Sequence, residues 1–389
     1  MELSRITSQF TESVIREMTR VANENPGTIN LAQGFPDFAA PESIKNAAIK
    51  AIRQDINQYA ITWGSRNLRE ALAKKVSRYN DLDSLDPDKN ITITCGSTEA
   101  MISSLKAVIN PGDEVIVFLP RYENYGPDCL LSGAKPRCIS LRLPDYSFDF
   151  DELESLFNDK TKAIIINTPN NPTGKVFSRE EMEFISRLCL RFDCLAITDE
   201  IYEHILYDGR EHISIASLPG MKDNAITINS ISKTYALTGW RVGWAIANER
   251  ITREIKKVHD FLTVGAAAPL QEAAAFALSM DDDYYERVRG FYHDARDYLY
   301  TALEATPLNP IKPYGAYYIM CECEEFMKDR NISSSEDLAM YLIKEVGIAT
   351  VPGSSFYERP GDGEFQTRFC FCKKKETLEA ARRNLMKIG

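Results

Sequence analysis

The run SISKTYALTGWRVGW, residues 230–244, places one lysine, Lys233, directly after an apolar β-branched stretch and eight residues ahead of Arg241. A lysine at the end of a buried strand loses solvation. Neighbouring positive charge adds to that loss, so its amine can stay neutral well below the ordinary value of about 10.4. A neutral amine is a nucleophile or a proton shuttle. Taken alone, a lysine in a lysine-rich chain is a solvated surface charge, so the residues at the other strand ends have to decide.

Ligands of open α/β sheets sit outside the carboxyl ends of the strands. After ITITC comes Gly96-Ser97-Thr98 at a helix start, where exposed N–H groups and the helix dipole suit a phosphate. Ser or Thr at such a place is more often simply an N-cap. After EVIVFLP comes RYENYG, whose Tyr122 is either a packing residue or a ring that stacks on a planar ligand. After KAIIIN comes TPNNPTG, in which Asn171 is held by an Asn-Pro turn. After CLAIT comes Asp199, then Glu200 and Tyr202. A carboxylate closing an apolar strand is costly unless it meets a cation or strong donors, or caps the next segment. There is no Walker A loop and no strand-linked G-x-G-x-x-G, so nucleoside triphosphates and dinucleotides lack their phosphate loops. Four histidines without an H-E-x-x-H pattern argue against a catalytic metal.

A regular alternation of elements must position these groups. Residues 42–54, ESIKNAAIKAIRQ, read as an amphipathic helix opened by Pro41 in the position that proline favours. From about 90 to 250, short continuous apolar strands alternate with helices such as REEMEFISRLCLRF, which predicts a mainly parallel sheet covered on both faces. After about 290 a long charged helix leads into YGAYYIMCEC, a helix near 336–346 and TRFCFCKK, the texture of a smaller α+β layer. The expected division is a segment 1–40 joining the small domain, a large domain 41–289 and a small domain 290–389. Two C-x-C pairs, Cys321/Cys323 and Cys370/Cys372, read as strands showing alternate residues to one buried face, because zinc sites space their cysteines more widely.

Composition sets outer limits. The 389 residues carry 44% hydrophobic and 26% charged residues, which is enough for a large buried core. A net charge of −10 disfavours nucleic acid and anionic membrane as partners, since phosphate contacts need excess Lys and Arg. The polar start MELSRITSQF lacks the apolar core of a secretory signal, and no run of 18 apolar residues occurs. Nine cysteines without a framework spacing fit reduced thiols, hence a cytoplasmic location.

Taken together, these residues resemble the fold-type-I pyridoxal 5′-phosphate aminotransferases of class I/II, over essentially the whole chain. The resemblance implies a large domain with a mainly parallel seven-stranded sheet between helices, plus a smaller α+β domain. It puts the cofactor-bonding lysine on Lys233, and the phosphate ligands on Ser230, Arg241 and the amides of Ser97 and Thr98. The partner of the ring nitrogen falls on Asp199, the donors to the ring oxygen on Asn171 and Tyr202, and the ring-stacking residue on Tyr122. The substrate α-carboxylate falls to Arg368 in QTRFCF, to Asn171 and to the backbone of Gly34 in NLAQGFPDFAAPE. That last segment is the variant seen in kynurenine, glutamine and methionine aminotransferases. INQYAITWG resembles the segment that crosses a homodimer interface, which puts Tyr59 on the partner's cofactor.

The implied activity moves an amino group from an L-amino acid to a 2-oxo acid such as 2-oxoglutarate, in a ping-pong cycle between the pyridoxal and pyridoxamine forms. Phe35, Trp63, Tyr122 and Tyr125 could line an aromatic pocket, which favours aromatic or other large uncharged donors. An aspartate preference stays open, with Arg5 or Arg66 as the candidate cation. So does a pyridoxal-phosphate-dependent C–S lyase on the same scaffold. An aminotransferase-like transcription regulator fits poorly, for want of a winged-helix segment and of positive charge.

Overall fold

The computed structural model describes residues 3–388. The short strand β1 (Ile29–Asn30) precedes the helices Glu42–Arg53 and Arg66–Asn80. The main sheet follows, from β2 (Ile91–Thr94), β3 (Glu114–Leu119), β4 (Lys135–Ser140), β5 (Thr161–Asn167), β6 (Leu195–Asp199), β7 (Ala225–Ser230) and β8 (Gly243–Ile246). Its spatial order is β2-β8-β7-β6-β5-β3-β4. The pairs from β4 through β3, β5 and β6 to β7 are all parallel, whereas β8 runs antiparallel to both β7 and β2. This is the expected mainly parallel seven-stranded sheet.

Burial explains the continuous apolar runs. Every residue of β6 and β7 is buried, because helices cover both faces of the sheet. The strand GWAI, β8, and the amphiphilic KPRCIS, β4, were not legible, since neither carries a long apolar or alternating pattern.

The remaining strands are β9 (Pro310–Ile311), β10 (Tyr318–Glu322), β11 (Ile348–Ala349), β12 (Val351–Pro352) and β13 (Gln366–Cys370). Four of them form an antiparallel sheet in the order β12-β13-β10-β9, and β1 pairs in parallel with β11. The long helix Asp282–Glu304 and the helix Lys375–Leu385 pack on each other beside it. Cys321, Cys323, Cys370 and Cys372 are free thiols buried in one apolar cluster, as the strand reading expects, with the second cysteine of each pair just past its strand.

Two readings shift. Pro41 is the N-cap of Glu42–Arg53 and not its first helical residue. The helix expected near 336–346 is regular only over Ser335–Tyr341, and a wider turn continues it to Val346.

Candidate active site

The carboxyl ends of β2, β3, β5, β6 and β7 open into one cleft of about 290 Å³, closed from the other side by β10, β13 and the segment around residues 13–34. Of the expected site residues, Gly34, Ser97, Thr98, Tyr122, Asn171, Asp199, Tyr202, Lys233, Arg241 and Arg368 all line it. Ser230 and Tyr59 do not. Ser230 is buried one turn away, where its hydroxyl accepts the N–H of Ser232 at 3.0 Å, and it is Ser232 that reaches the cleft. Tyr59 is 89% exposed on the outer surface.

The floor of the cleft is a lysine facing an acid. Lys233 Nζ donates to the carbonyl of Gly34 at 3.1 Å and sits 5.8 Å from the ring centre of Tyr202. Burial pushes its amine down to about 8; Arg368 and Arg241 add to that, while Cys372 and Asp199 pull the other way. Asp199 is the last residue of β6, so the strand carries its carboxylate into the cleft mouth. Burial pushes that carboxyl up to about 6, against donation from Tyr125 Oη at 2.8 Å and the N–H of Ile201 at 3.3 Å. Asn167 ties this end of the sheet together, donating to the Asp199 carbonyl at 2.9 Å and accepting the Asn171 N–H at 2.7 Å.

At one side stands the N-terminus of the helix Ser97–Val108, capped by Gly96 with φ +86°. Only glycine is at ease there. A Cβ on Gly96 would lie 2.2 Å from Arg241 Nη2, and one on Gly243 would lie 2.6 Å from the Ser97 nitrogen. The guanidinium of Arg241, anchored on the carbonyls of Thr238 and Cys95, thus lies against the helix start, with free N–H groups and positive charge side by side.

At the other side, Arg368 is fully buried in the middle of β13, paired in register with Met320 and Val351. It donates to Asn171 Oδ1 at 2.8 Å and to the Ala32 carbonyl at 2.6 Å, and its Nε has no acceptor. Its guanidinium packs 4.2 Å from the ring centre of Tyr318. Among the described residues it has no carboxylate partner. The contrast is Arg296, equally buried, which makes two hydrogen bonds to Asp208 at 2.8 and 2.9 Å. One buried arginine is neutralised by carboxylates of the protein; the other meets only neutral acceptors.

Several lining residues escaped the sequence reading: Ser232, Thr238, Asn167, Tyr318 and Arg16. Tyr318 shares a hydrogen bond of 2.8 Å with Tyr202, and a Cβ on Gly34 would lie 2.2 Å from its hydroxyl. Nothing distinguishes it in YGAYYIM from a core tyrosine. Asn167 did carry a signal, a polar residue closing an apolar strand, the same signal that marked Asp199. The aromatic pocket needs correcting. Tyr122 and Tyr125 line the cleft, but Phe35 and Trp63 do not: they lie elsewhere beneath the ammonium groups of Lys373 and Lys256. Arg66 is exposed and paired with Glu70 at 2.6 Å, and neither it nor Arg5 lines the cleft. Behind Asp199, Glu200, Glu203 and His212 bring their ligand atoms together, and the Lys75 ammonium already pairs with Glu203 there.

The chain matches the family model described as aminotransferase class I and II over residues 26–385. Kynurenine–oxoglutarate transaminase 1 of Mus musculus is 33% identical, over 95% of this chain and 93% of its own. Methionine aminotransferase of Escherichia coli (strain K12) is 33% identical, over 98% of this chain and 97% of its own. The solved N-succinyldiaminopimelate aminotransferase of Mycobacterium tuberculosis superposes with a TM-score of 0.94 at 32% identity, covering all of both chains.

Proposed function

This chain belongs to the class I and II aminotransferases, and from that premise we propose which of its residues run the reaction and which amino donors it takes. It is a fold-type-I enzyme that passes amino groups from amino acids to 2-oxo acids, with pyridoxal 5′-phosphate as its cofactor. The donor set of the cleft fits that group. The helix start with Arg241 suits a phosphate, the Asp199 carboxylate suits a protonated ring nitrogen, and the depressed amine of Lys233 suits an aldehyde. When bound, the cofactor supplies the electron sink that makes the α C–H bond of the substrate acidic.

The chain's residues do the rest. Arg241, the amides of Ser97 and Thr98, and Ser232 hold the phosphate, with Ser230 setting the turn that presents Ser232. Asp199, kept ionised by Tyr125 and the Ile201 N–H, holds the proton on the ring nitrogen. Asn171 and Tyr202 would donate to the ring oxygen, and Tyr122 would stack on the ring. Arg368, with Asn171 and the backbone at Gly34, holds the substrate α-carboxylate. Lys233 carries the α-proton once its amine is free. The observation that carries this reading is the convergence on one cleft of a depressed amine, a buried acid and a buried arginine that no carboxylate of the described residues neutralises.

The proposed donors are aromatic or other large uncharged amino acids, with 2-oxoglutarate as acceptor. Supporting this are Ile15, Tyr122 and Tyr318 in the lining, and relatives named for kynurenine and methionine. A panel of amino acids with 2-oxoglutarate, read as glutamate formed, should give aromatic donors and methionine at least ~10-fold higher kcat/KM than aspartate, about what one apolar side-chain contact discriminates. Aspartate as the best donor would reverse the assignment.

The division into a segment 1–40 with 290–389, around a large domain 41–289, is supported by the β1–β11 pairing. Nine free cysteines support a cytoplasmic location. A homodimer is supported by exposed apolar side chains. Tyr59 is 89% and Phe261 92% exposed, and Ile49 and Ile52 on Glu42–Arg53 and Phe276 on the helix packed against it are exposed as well. Sedimentation at micromolar concentration should report twice the chain mass of 44.0 kDa, and Tyr59→Ala should weaken cofactor retention. A monomer with full cofactor occupancy would refute both.

A further inference from the structure

A 2-oxo acid such as 2-oxoglutarate brings two carboxylates, and Arg368 can meet only one of them. Four basic side chains line the cleft: Arg16, Lys233, Arg241 and Arg368. Three are engaged. Lys233 donates to Gly34, Arg241 to Thr238 and Cys95, and Arg368 to Asn171 and Ala32. Arg16 is different. Its backbone N–H is bonded to Ser13, but among the described residues its guanidinium has neither a carboxylate nor a hydrogen-bond acceptor.

Its place is fixed all the same. Arg16 stands in the first turn of the helix Val14–Glu24, whose start is pinned to the loop after β3. Glu123 accepts the Ser13 hydroxyl at 2.6 Å and the Ile15 N–H at 3.1 Å, so both its oxygens are occupied by that helix start and neither pairs with Arg16. Arg16 acts electrostatically on Tyr122, one of the rings that bound the mouth of the cleft. It is exposed, so an anion entering from solvent can reach it directly.

From this the geometry points to Arg16 as the residue that binds the distal carboxylate of dicarboxylic substrates, the 2-oxoglutarate acceptor and the glutamate it becomes. The assignment rests on the aminotransferase reading of the same cleft and adds a specificity-determining residue to it. One site then serves two kinds of side chain. Uncharged donors lie against Ile15, Tyr122 and Tyr318, whereas the acceptor reaches past them to the guanidinium. A planar fork of donors suits a carboxylate better than a lysine would.

The test compares Arg16→Gln and Arg16→Lys with the parent, each loaded with cofactor. The ratio of kcat/KM for 2-oxoglutarate to that for phenylpyruvate should fall roughly 10- to 100-fold in Arg16→Gln, the range for losing a charge-assisted hydrogen-bonded contact. Arg16→Lys should recover part of the loss. Calorimetric affinity for glutarate, measured against butyrate, should fall by a similar factor. A ratio and a glutarate affinity that both stay within about twofold of the parent would overturn the assignment. Absence of turnover by the parent with every pair would refute the aminotransferase reading instead, and the glutarate titration would still decide the role of Arg16.

Discussion

Lys233→Ala should lose transamination by at least about 10⁴-fold, the upper end of what one acid–base group contributes, because in the proposed assignment the same side chain also bonds the cofactor. Its surroundings explain why no other group can take over. The next basic side chains in the cleft are arginines, which stay charged at any working pH. Added methylamine should restore part of the rate in proportion to its concentration, which a merely misfolded variant would not show. The parent amine is pushed down to about 8, mainly by burial. Its neutral form therefore grows as pH rises and dominates above that value. For the cofactor-free parent, capture of pyridoxal phosphate should speed up about tenfold per pH unit below 8 and level off above it. A profile that keeps rising towards 10.5 would mean that the cleft does not desolvate the amine. Ordinary turnover by Lys233→Ala would remove the chemistry from this residue altogether.

The part of this site that could be read from the sequence is the part a strand delivers. A polar residue at or just beyond the end of a buried strand has an obvious place to go. Asp199, Lys233 and the small-residue turn at Gly96 therefore stand out as candidates, each with an ordinary alternative until the resemblance gathers them. Asn167 obeys the same rule at the end of β5 and was there to be found. What stays hidden is side-chain direction where no element ends. Ser230 and Ser232 lie two residues apart, and nothing in the sequence says that Ser232 lies in the lining while Ser230 Oγ accepts the Ser232 N–H.

Long-range closure is hidden for a different reason. Arg16, Gly34, Tyr318 and Arg368 come from opposite ends of the chain, and no local pattern states that β1 pairs with β11 or that β13 lies between β12 and β10. Without the family resemblance, Arg368 in QTRFCF would have been one more arginine. The aromatic pocket failed at the same level: Phe35 adjoins the cleft residue Gly34 in sequence and Trp63 adjoins none, and nothing in their neighbours says which way they turn. Tyr125 does line the cleft as read, and its hydroxyl also goes to the Asp199 carboxylate. A phenol in that position is a means of keeping a buried acid ionised, because donation to the charged form opposes the effect of burial.

Arg368→Met should cut kcat/KM for every amino acid and 2-oxo acid by about 30- to several thousand-fold, the range for truncating one partner of a buried charge pair. Stability should respond quite differently. Removing one partner from a buried ion pair costs about 3–5 kcal/mol, because the other charge is left stranded. Arg368 has no such partner in the protein, so its loss strands no charge; the groups left behind are the Asn171 amide oxygen and the Ala32 carbonyl. Each unsatisfied neutral acceptor costs about 1–3 kcal/mol. The substitution also removes a buried cation that has no carboxylate partner among the described residues. The net loss for Arg368→Met should therefore stay below about 3–5 kcal/mol, the cost of a broken buried pair. Arg296→Met supplies the reference, since that arginine is equally buried but bonded twice to Asp208 and once to Asp297. Both carboxylates are partly exposed, yet the loss of three charge-assisted bonds should destabilise by more. Arg368→Lys keeps the charge but loses the fork, so its catalytic loss should fall between those of the parent and the Met variant, with KM carrying most of it. The decisive pattern is the pair of measurements. Urea titrations in which Arg368→Met destabilises as much as Arg296→Met, with catalysis largely intact, would make Arg368 a structural residue and leave the substrate carboxylate without its anchor.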